Sequence, residues 1–419
     1  MNYQKPMRAI QTGHGSPSPE PQSDGYILHG TRAFRHTSLA LFAAGFATFS
    51  MIYCVQPLMP TFSREYGVSA ASSASSLSLT TGVLAILLLF AGNWSDRLGR
   101  KPVMVWSLFL SASLVLITSF APDWVVFLLA RALLGITISG LPAVAMTYLN
   151  EEIHADSIGL GMGLYISGSA TGGMSGRLIA GVLADYWGWR TAIAVIGIIG
   201  LIAGVIFLRS LPASRHFSPR QLPWKQNLHQ MIGLFRDPGL PWLFAEGFFL
   251  MGVFVTFYNY LGYRLMASPY NFSQAQVGLI FGVYVIGMFS SPWMGHIAGH
   301  LGRRKVLWTA FALVGAGVLL SMATAVWVIV LGVLLLTFGF FGGHSIASSW
   351  VGRRTRVAKA QATSLYLFFY YVGSAVLGTG GGLFYTAWGW SGVAGLLGVL
   401  AFGGLALAWR LRRLQPLAA

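Results

Sequence analysis

The sequence predicts an all-α polytopic membrane protein, with twelve transmembrane helices in two pseudo-symmetric six-helix bundles. Three observations predict this class: the composition, the lengths of the apolar segments, and the similarity between the two halves of the chain. Hydrophobic residues make up 55% of the 419 residues and charged residues only 9%, whereas a soluble domain carries about 25% charged residues. A soluble enzyme, a disordered protein and a disulfide scaffold are therefore excluded.

The apolar segments have the lengths that membrane crossing requires. One span of a bilayer takes roughly 20 apolar residues. Every backbone polar group within lipid must find its partner inside the segment, which favours helices. In chain order, the predicted spans are 38–59, 74–92, 103–121, 124–148, 158–182, 190–208, 241–263, 274–294, 306–324, 326–349, 362–385 and 391–409.

These spans divide the chain into five parts. Residues 1–37 are predicted to be a disordered cytoplasmic tail, because they contain a long polar stretch and no apolar core. The first bundle covers 38–208 and the second covers 241–409. A basic, proline-containing cytoplasmic linker at 209–240 joins the bundles. Residues 410–419 form a second cytoplasmic tail.

Basic residues predict the orientation. The net charge is +16. Placing both termini in the cytoplasm puts all Lys and Arg residues on that side except Arg64, Arg131, Arg177, Arg190 and Arg264. Such an excess is typical of cytoplasmic loops, so we expect a multi-pass protein of a bacterial inner membrane. Because the cations lie between apolar segments, they predict contact with lipid headgroups and not with nucleic acid.

The sequence predicts neither a cofactor nor a metal site. The single cysteine, Cys54, lies in the first apolar segment, and no CxxC motif or Cys/His cluster occurs. A GxxxxGK[ST] motif is also missing from the sequence, which argues against ATP-driven pumping. Catalytic motifs such as HExxH and the nucleophile elbow are not found, so we do not expect an enzyme.

The two halves repeat one another at a nearly constant offset. The loop GNWSDRLGRKP at 92–102 is matched by GHIAGHLGRRK at 295–305, an offset of 203. Farther along the chain, Tyr165 is matched by Tyr366 at an offset of 201. Duplicated halves of this kind are typical of secondary transporters, whose substrate site lies near the midplane between the halves.

The first of these loops resembles the signature of a known family. Gly92-(x3)-Asp96-Arg97-x-Gly99-Arg100-Lys101, directly after the second span, is similar to the loop motif of the major facilitator superfamily. The resemblance covers essentially the whole chain from about residue 38. It implies that the loop is a conformational latch formed by Gly92, Asp96, Arg97, Gly99, Arg100 and Lys101, with a second copy at Gly302 and Arg303. Gly299 stands where the first copy has Asp96, so the second latch should be weaker.

Other motifs resemble the drug:proton-antiporter branch of that superfamily. They are Pro57-x-x-Pro60, Arg131-x-x-x-Gly135 and the glycine-rich run at 168–176. The chain departs from that branch at three positions, where Leu134, Gly173 and Arg177 replace its glutamine, proline and glycine. The stretches MTYLNEEIH, LYISGSATGGMSGRLIAG and LFAEGFFLMG are similar to the YnfM-type bacterial inner-membrane transport proteins. The resemblance implies alternating-access transport of a small solute, with proton-coupled efflux as the expected mode.

Three residues within spans are candidates for proton coupling. Arg131 lies inside the fourth span, where a cation costs roughly 2.5–3.5 kcal/mol to insert; the alternative is a structural arginine that snorkels to the interface. Glu246 is the one carboxylate well inside an apolar run, although it could instead be a partner at a helix end. His344 can titrate, but a packing histidine that makes one hydrogen bond is the competing interpretation.

Polar and aromatic side chains in several spans could line a central cavity. The candidates are Tyr53, Gln56, Tyr165, Arg177, Tyr258, Asn259, Tyr370 and Tyr371. The alternative is that some of the tyrosines form interfacial belts, and Tyr263 is the strongest belt candidate. Arg177 could bind an anionic solute or pair with Asp185.

Several functions remain open at this level. The leading expectation is a monomeric transporter whose partners are a small-molecule substrate, protons and the lipid bilayer. The alternatives are uptake or uniport of a neutral solute such as a sugar, and a membrane sensor that binds a solute without moving it.

Overall fold

A computed structural model describes residues 25–217, 224–355 and 358–414, and for residues 91–94 and 224 it describes the backbone only. Within these residues, nine helices are long and apolar enough to cross a membrane, when the helical segments within Trp124–Glu152 and within Gln274–Leu301 are each counted as one helix. Two of them, of 53 and 54 residues, each contain one non-helical glycine and therefore comprise two spans. One further helix, Arg303–Leu320, begins with three consecutive cations, Arg303, Arg304 and Lys305. These charges keep it out of the nine, although the rest of the helix is apolar. The helices of the described residues are accordingly consistent with the twelve predicted spans.

The first half contains seven helices. They are α1 (Arg32–Tyr53), α2 (Met59–Tyr66), α3 (Ala70–Leu98), α4 (Arg100–Thr118), α5 (Trp124–Ile138), α6 (Pro142–Glu152) and α7 (Ile158–Ser210). The short helix α8 (Trp224–Leu234) lies between the halves. The second half contains α9 (Leu240–Met266), α10 (Gln274–Ile280), a 3-10 turn (Phe281–Tyr284), α11 (Val285–Leu301), α12 (Arg303–Leu320), α13 (Val326–Arg354) and α14 (Lys359–Arg412).

Local sequence explains where several helices begin. The side chains of Thr31, Ser69 and Asp123 accept hydrogen bonds from backbone N–H groups in the first turns of α1, α3 and α5. Such caps satisfy donors that have no partner within the helix. A proline in the first turn begins α2, α6 and α9, where its missing N–H has no consequence.

Three predicted spans are interrupted where the sequence predicted continuous helices. One of them, 274–294, contains the 3-10 turn between α10 and α11. The span predicted at 38–59 begins earlier and ends at Tyr53, and a turn separates it from α2. The span predicted at 124–148 is divided between α5 and α6. Pro142 starts α6, because a proline clashes with the preceding turn of a continuous helix.

The predicted boundaries of the tails and linker also differ from the structure. The predicted tail at 1–37 is shorter, since α1 already begins at Arg32 and Ile27 pairs with Ile153 in an isolated β-bridge. Residues 1–24 of that prediction lie outside the described residues. The linker contains a helix, α8, and α14 extends to Arg412, beyond the span predicted to end at 409.

The backbone repeats as the sequence predicted. Gly99 and Gly302, at equivalent positions, separate α3 from α4 and α11 from α12, with φ of 90° and 94°. Gly188 and Gly389 interrupt α7 and α14 with φ of 79° and 59°. Positive φ is available to glycine without steric cost, so these four glycines allow the chain to reverse between spans.

The two halves meet at one end of the bundle. We call the end that carries Arg100 and Arg303 the basic end, and the end that carries Glu65 and Tyr263 the opposite end. At the opposite end, the hydroxyls of Ser63 and Tyr263 are 2.7 Å apart, and the Tyr263 hydroxyl donates to the Met59 carbonyl at 2.9 Å. Tyr263 therefore joins the halves and does not belong to an interfacial belt.

Close packing extends this contact toward the centre. A Cβ added at Gly382 would lie closer than 3.0 Å to the backbone of Ala71, and one at Gly181 would do the same at Gly278. These approaches bring α14 against α3 and α7 against α10. Small residues at such positions allow helices to pack closely in lipid, where no hydrophobic effect drives them together.

Candidate functional site

Arg177 lies at the centre of the molecule between the two halves. Its side chain is 2% exposed. Its Nε donates to the Gln56 side-chain oxygen at 2.6 Å, and one terminal nitrogen donates to the Gly173 carbonyl. The pairing with Asp185 that the sequence suggested is wrong, because Asp185 is exposed and the contacts of Arg177 lie elsewhere.

Aromatic rings surround the guanidinium. Its carbon lies 4.1 Å from the ring centroid of Tyr53, 4.7 Å from that of Tyr284 and 5.3 Å from that of Phe281. A cation within about 6 Å of a ring centroid is attracted to the face of the ring. Because Tyr53 belongs to the first half and the other two rings to the second, this cage assembles only when the halves are in contact.

A polar pair joins the halves beside Arg177. The Gln56 side-chain nitrogen donates to the Asn259 side-chain oxygen at 2.7 Å, and these two residues are equivalent positions of the repeat. The Asn259 nitrogen in turn donates to the Gly378 carbonyl at 3.4 Å. Gly378 is the equivalent of Arg177 at the offset of 201. The cation is thus present in one half only, which makes the central site electrostatically asymmetric.

Tyrosines from both halves continue from this site toward the basic end. Tyr53, Tyr165, Tyr258 and Tyr371 are all buried, whereas Tyr370 is partly buried. The Tyr258 hydroxyl is 2.7 Å from the Thr337 hydroxyl. The Tyr370 and Tyr371 rings meet edge to face, with centroids 5.2 Å apart. The predicted cavity residues are therefore brought together.

Arg131 has a different environment from Arg177. It is 1% exposed and donates to three backbone carbonyls, those of Ser76 at 2.8 Å, Met51 at 3.0 Å and Ile52 at 2.7 Å. Met51 and Ile52 lie in the last turn of α1, whose carbonyls lack partners within the helix and carry partial negative charge. Arg131 therefore caps the interrupted end of α1, and the snorkelling alternative is wrong.

Glu246 and His344 both interact with one tyrosine. The Glu246 carboxyl is fully buried, and neither of its oxygens has a hydrogen-bond partner among the described residues. It is close enough to Tyr366 for an electrostatic interaction. The His344 Nδ1 is 2.9 Å from the Tyr366 hydroxyl. The two proton-coupling candidates of the second half thus share Tyr366, which packs against Gly247.

The 92–102 loop forms an ion-pair network within the first half. Arg100 donates to both oxygens of Glu151, at 2.9 and 2.7 Å, and one of its terminal nitrogens is 2.6 Å from the Asp96 carboxylate. Lys101 donates to the Leu211 carbonyl, whereas Arg97 is exposed. Gly92 lies within α3. Of the predicted latch residues, Asp96 and Arg100 therefore link α3, α4 and α6 through Glu151.

The second copy of the loop has a smaller set of partners. Arg303 donates to the Ser349 hydroxyl at 3.0 Å. Arg354 pairs with Asp237 at 2.5 Å, immediately before α9. At the basic end, the ion pair of Arg100 with Glu151 accordingly stays within the first half, and the ion pair of Arg354 joins the second half to the linker.

Sequence reasoning missed several residues of these sites. Tyr284 and Phe281 escaped notice because they lie in an apolar segment with no charged neighbour. Glu151 lies within the stretch MTYLNEEIH, but no local pattern indicates that it is the partner of Arg100, 51 residues away. Tyr366 was noted only as the repeat of Tyr165, and that equivalence was the signal that could have identified it.

Comparisons with known proteins agree with the fold. The family model described as Major Facilitator Superfamily matches residues 41–264 and 257–418. The chain is 47% identical over 392 residues to the inner membrane transport protein YnfM of Escherichia coli (strain K12), covering 94% of each chain. It is 46% identical to the MFS-type transporter YybF of Bacillus subtilis (strain 168), covering 93% of this chain and 96% of the relative. The resemblance to YnfM-type proteins is confirmed.

A solved structure shares the architecture. It is the inward-facing, occupied form of a bacterial homologue of the human lysosomal transporter Spinster. The two chains superpose with a TM-score of 0.76 at 14% identity, over 92% of this chain and 100% of the other. At this identity the likeness concerns the fold alone, and it confirms the predicted fold class.

Proposed function

This chain belongs to the major facilitator superfamily and is a multi-pass membrane transporter, and we propose that it exports a small solute by alternating access in exchange for protons. The two halves rock about the central site, which opens to one face of the membrane at a time. One observation carries this proposal: a charged group and a titratable group lie in different halves. The charged group is Arg177 in the first half, and the titratable group is Glu246 with Tyr366 and His344 in the second.

The orientation follows from the cations. With the basic end in the cytoplasm of a bacterium, the distribution of Lys and Arg obeys the positive-inside rule. The contacts of Tyr263 with Ser63 and Met59 then close the periplasmic face. We take the structure to be the form that receives its solute from the cytoplasm, which is the starting state of an exporter.

Proton coupling requires a group that alternates between charged and neutral forms as the halves move. Glu246 meets this requirement because its carboxyl is buried without a hydrogen-bond partner in the part of the chain described. An ionised carboxylate in such a place is very costly. When the halves rearrange and water reaches it, the carboxyl can release its proton. Each charge that crosses 100 mV contributes about 2.3 kcal/mol.

The test uses proteoliposomes that contain a pH-sensitive dye. The panel consists of benzenesulfonate, benzyltrimethylammonium and glucose, which represent an anion, a cation and a neutral sugar. We expect one of them to change the lumenal pH when it is added, and to accumulate against its gradient when a pH gradient is imposed. Glu246→Gln should retain exchange of that solute between the two faces and lose the pH-driven accumulation. Transport that is equally fast with and without a pH gradient would contradict proton coupling.

Facilitated movement of a neutral solute is the second candidate. The amide groups of Gln56 and Asn259 and the tyrosine hydroxyls could bind a sugar by hydrogen bonds. Glucose transport that is independent of Glu246 would favour this candidate. Binding of a solute without any exchange across the membrane would instead favour a sensor.

A further inference from the structure

The central arginine has hydrogen-bonding capacity that the protein does not use. Arg177 has three nitrogens. In the described part of the chain, Nε donates to Gln56 and one terminal nitrogen donates to Gly173. The second terminal nitrogen makes no hydrogen bond there, and it is not among the fully enclosed side-chain atoms. A guanidinium binds an oxyanion best through such N–H donors in its fixed planar fork.

The same site lacks a compensating negative charge. The ion pairs of the described residues join other groups, such as Arg100 with Glu151, Arg190 with Glu65 and Arg354 with Asp237. Arg177 has only neutral partners: an amide, a carbonyl and three aromatic rings. A buried cation is expected to be paired unless a partner arrives from outside the protein. The site therefore has an excess of one positive charge.

The other half contributes a second donor, a tyrosine whose ring lies against the guanidinium. Tyr284 is 6% exposed, and its hydroxyl has no hydrogen-bond partner among the described residues. Its ring lies 4.7 Å from the Arg177 carbon. A buried hydroxyl without a hydrogen-bond partner is energetically unfavourable. An oxyanion bound to Arg177 could accept this hydrogen bond too, and would then contact both halves.

We infer that the central site binds a small organic monoanion, a carboxylate or sulfonate with a flat apolar body, between Arg177 and the Tyr284 hydroxyl. The charge matches because one arginine neutralises one negative charge. The apolar body lies toward Tyr53 and Tyr371, whose rings provide flat surfaces for stacking. This inference rests on the proposed transport function, for which it names the class of solute.

The asymmetry of the repeat supports the same solute. The position equivalent to Arg177 is Gly378, whose carbonyl accepts from Asn259. The second half therefore contributes no cation where the first half does. A dianion would be left with one uncompensated charge in an apolar site, and a cationic solute would be repelled by Arg177.

The experiment measures binding to the full chain in lipid nanodiscs by calorimetry. The probes are benzenesulfonate, the neutral benzenesulfonamide and the cationic benzyltrimethylammonium, which are similar in size. We expect benzenesulfonate to bind about tenfold or more tightly than benzenesulfonamide, since hydrogen bonds to charged groups contribute about 1.5–3 kcal/mol each. Equal or tighter binding of the neutral or the cationic probe would overturn the inference, as would no binding of benzenesulfonate.

Variants assign the effect to the site. Arg177→Gln should remove the preference for the anion, and Arg177→Lys should restore part of it. Arg209→Gln, at an exposed arginine of the same helix, should leave the preference unchanged. Tyr284→Phe keeps the ring and should weaken benzenesulfonate binding by about threefold to tenfold, the loss of one hydrogen bond. Benzenesulfonate binding to Tyr284→Phe is measured in parallel, so that the inference can still be tested if the Arg177→Gln protein is unstable. A preference for the anion that persists in Arg177→Gln, or benzenesulfonate binding that is unchanged in Tyr284→Phe, would refute the assignment.

The transport assay separates this inference from the proposed function. If benzenesulfonate binds through Arg177 but its exchange across the membrane is independent of the pH gradient, the proposal of proton coupling is refuted and the proposed class of solute is supported. If benzyltrimethylammonium is driven by the pH gradient and Arg177→Gln does not affect it, the class of solute fails and the transport function stands.

Discussion

The packing of α1 against α7 provides a sharp prediction at Gly172. A Cβ at this position would lie closer than 3.0 Å to the O, Cα and C atoms of Phe46. Backbone atoms cannot rotate away as a side chain can. The Ser50 hydroxyl also donates to the Gly172 carbonyl at 2.9 Å, which keeps the helices at this distance. Gly172→Ala must therefore push α1 and α7 apart.

The magnitude follows from two opposing contributions. Overpacking a filled interior typically costs 1–3 kcal/mol, and a collision with backbone belongs at the upper end of that range. Alanine itself stabilises a helix interior by roughly 0.5–1 kcal/mol relative to glycine. We therefore expect Gly172→Ala to lower the free energy of unfolding by about 2 kcal/mol.

A matched control lies on the same helix. No atom lies within 4 Å of a Cβ at Gly163, so Gly163→Ala should leave stability unchanged or raise it slightly. The repeat provides a second test, because a Cβ at Gly373 would meet the backbone of Phe248 in the same way. Denaturant titration of the purified proteins in detergent measures all three variants. If Gly172→Ala is as stable as Gly163→Ala, the close approach of the two helices is wrong.

Three further predictions concern the charged and polar groups. Glu151→Gln should destabilise the protein by about 2 kcal/mol in thermal unfolding, because it weakens two charge-assisted hydrogen bonds from the buried Arg100; additivity with Arg100→Gln in a double-mutant cycle would argue against the contact. Glu246→Ala should abolish pH-driven accumulation while solute binding changes less than about threefold; a similar loss of binding would show a role in the solute site. Tyr263→Phe should increase severalfold the rate at which a water-soluble thiol reagent labels a cysteine introduced at the opposite end, because the variant loses a hydrogen bond of about 1 kcal/mol to Met59 between the halves. An unchanged labelling rate would mean that this contact does not hold the halves together.

Most of the fold could be predicted from the sequence because a membrane imposes local rules. The apolar segments predicted the spans, since lipid requires long continuous runs of apolar residues. The repeated loops predicted the reversals at Gly99 and Gly302. The interruptions around Pro57 and Pro142 were missed, because hydropathy continues through both positions and proline alone does not reveal whether a helix bends or ends.

The candidate site could be predicted only in part. The sequence indicated that Arg131 and Arg177 require partners within the membrane, but not which partners. Gln56 is 121 residues away from Arg177 along the chain, so their contact depends on how the helices pack. Tyr284 bears no local signal at all. What separates the two arginines is structural: backbone carbonyls surround Arg131, whereas Arg177 keeps a free donor beside aromatic rings.

The most direct test of alternating motion is a pair of distances measured by spin labels. Leu98 and Leu301 are exposed equivalents at the basic end, and Trp187 and Trp388 are exposed equivalents at the opposite end. Each pair is labelled after replacement by cysteine in a chain that carries Cys54→Ala, and the distances are recorded over a range of pH with and without benzenesulfonate. We predict reciprocal changes, in which conditions that shorten the distance at the basic end lengthen the one at the opposite end. Distances that increase or decrease together would contradict a rocking motion of two halves about a shared central site.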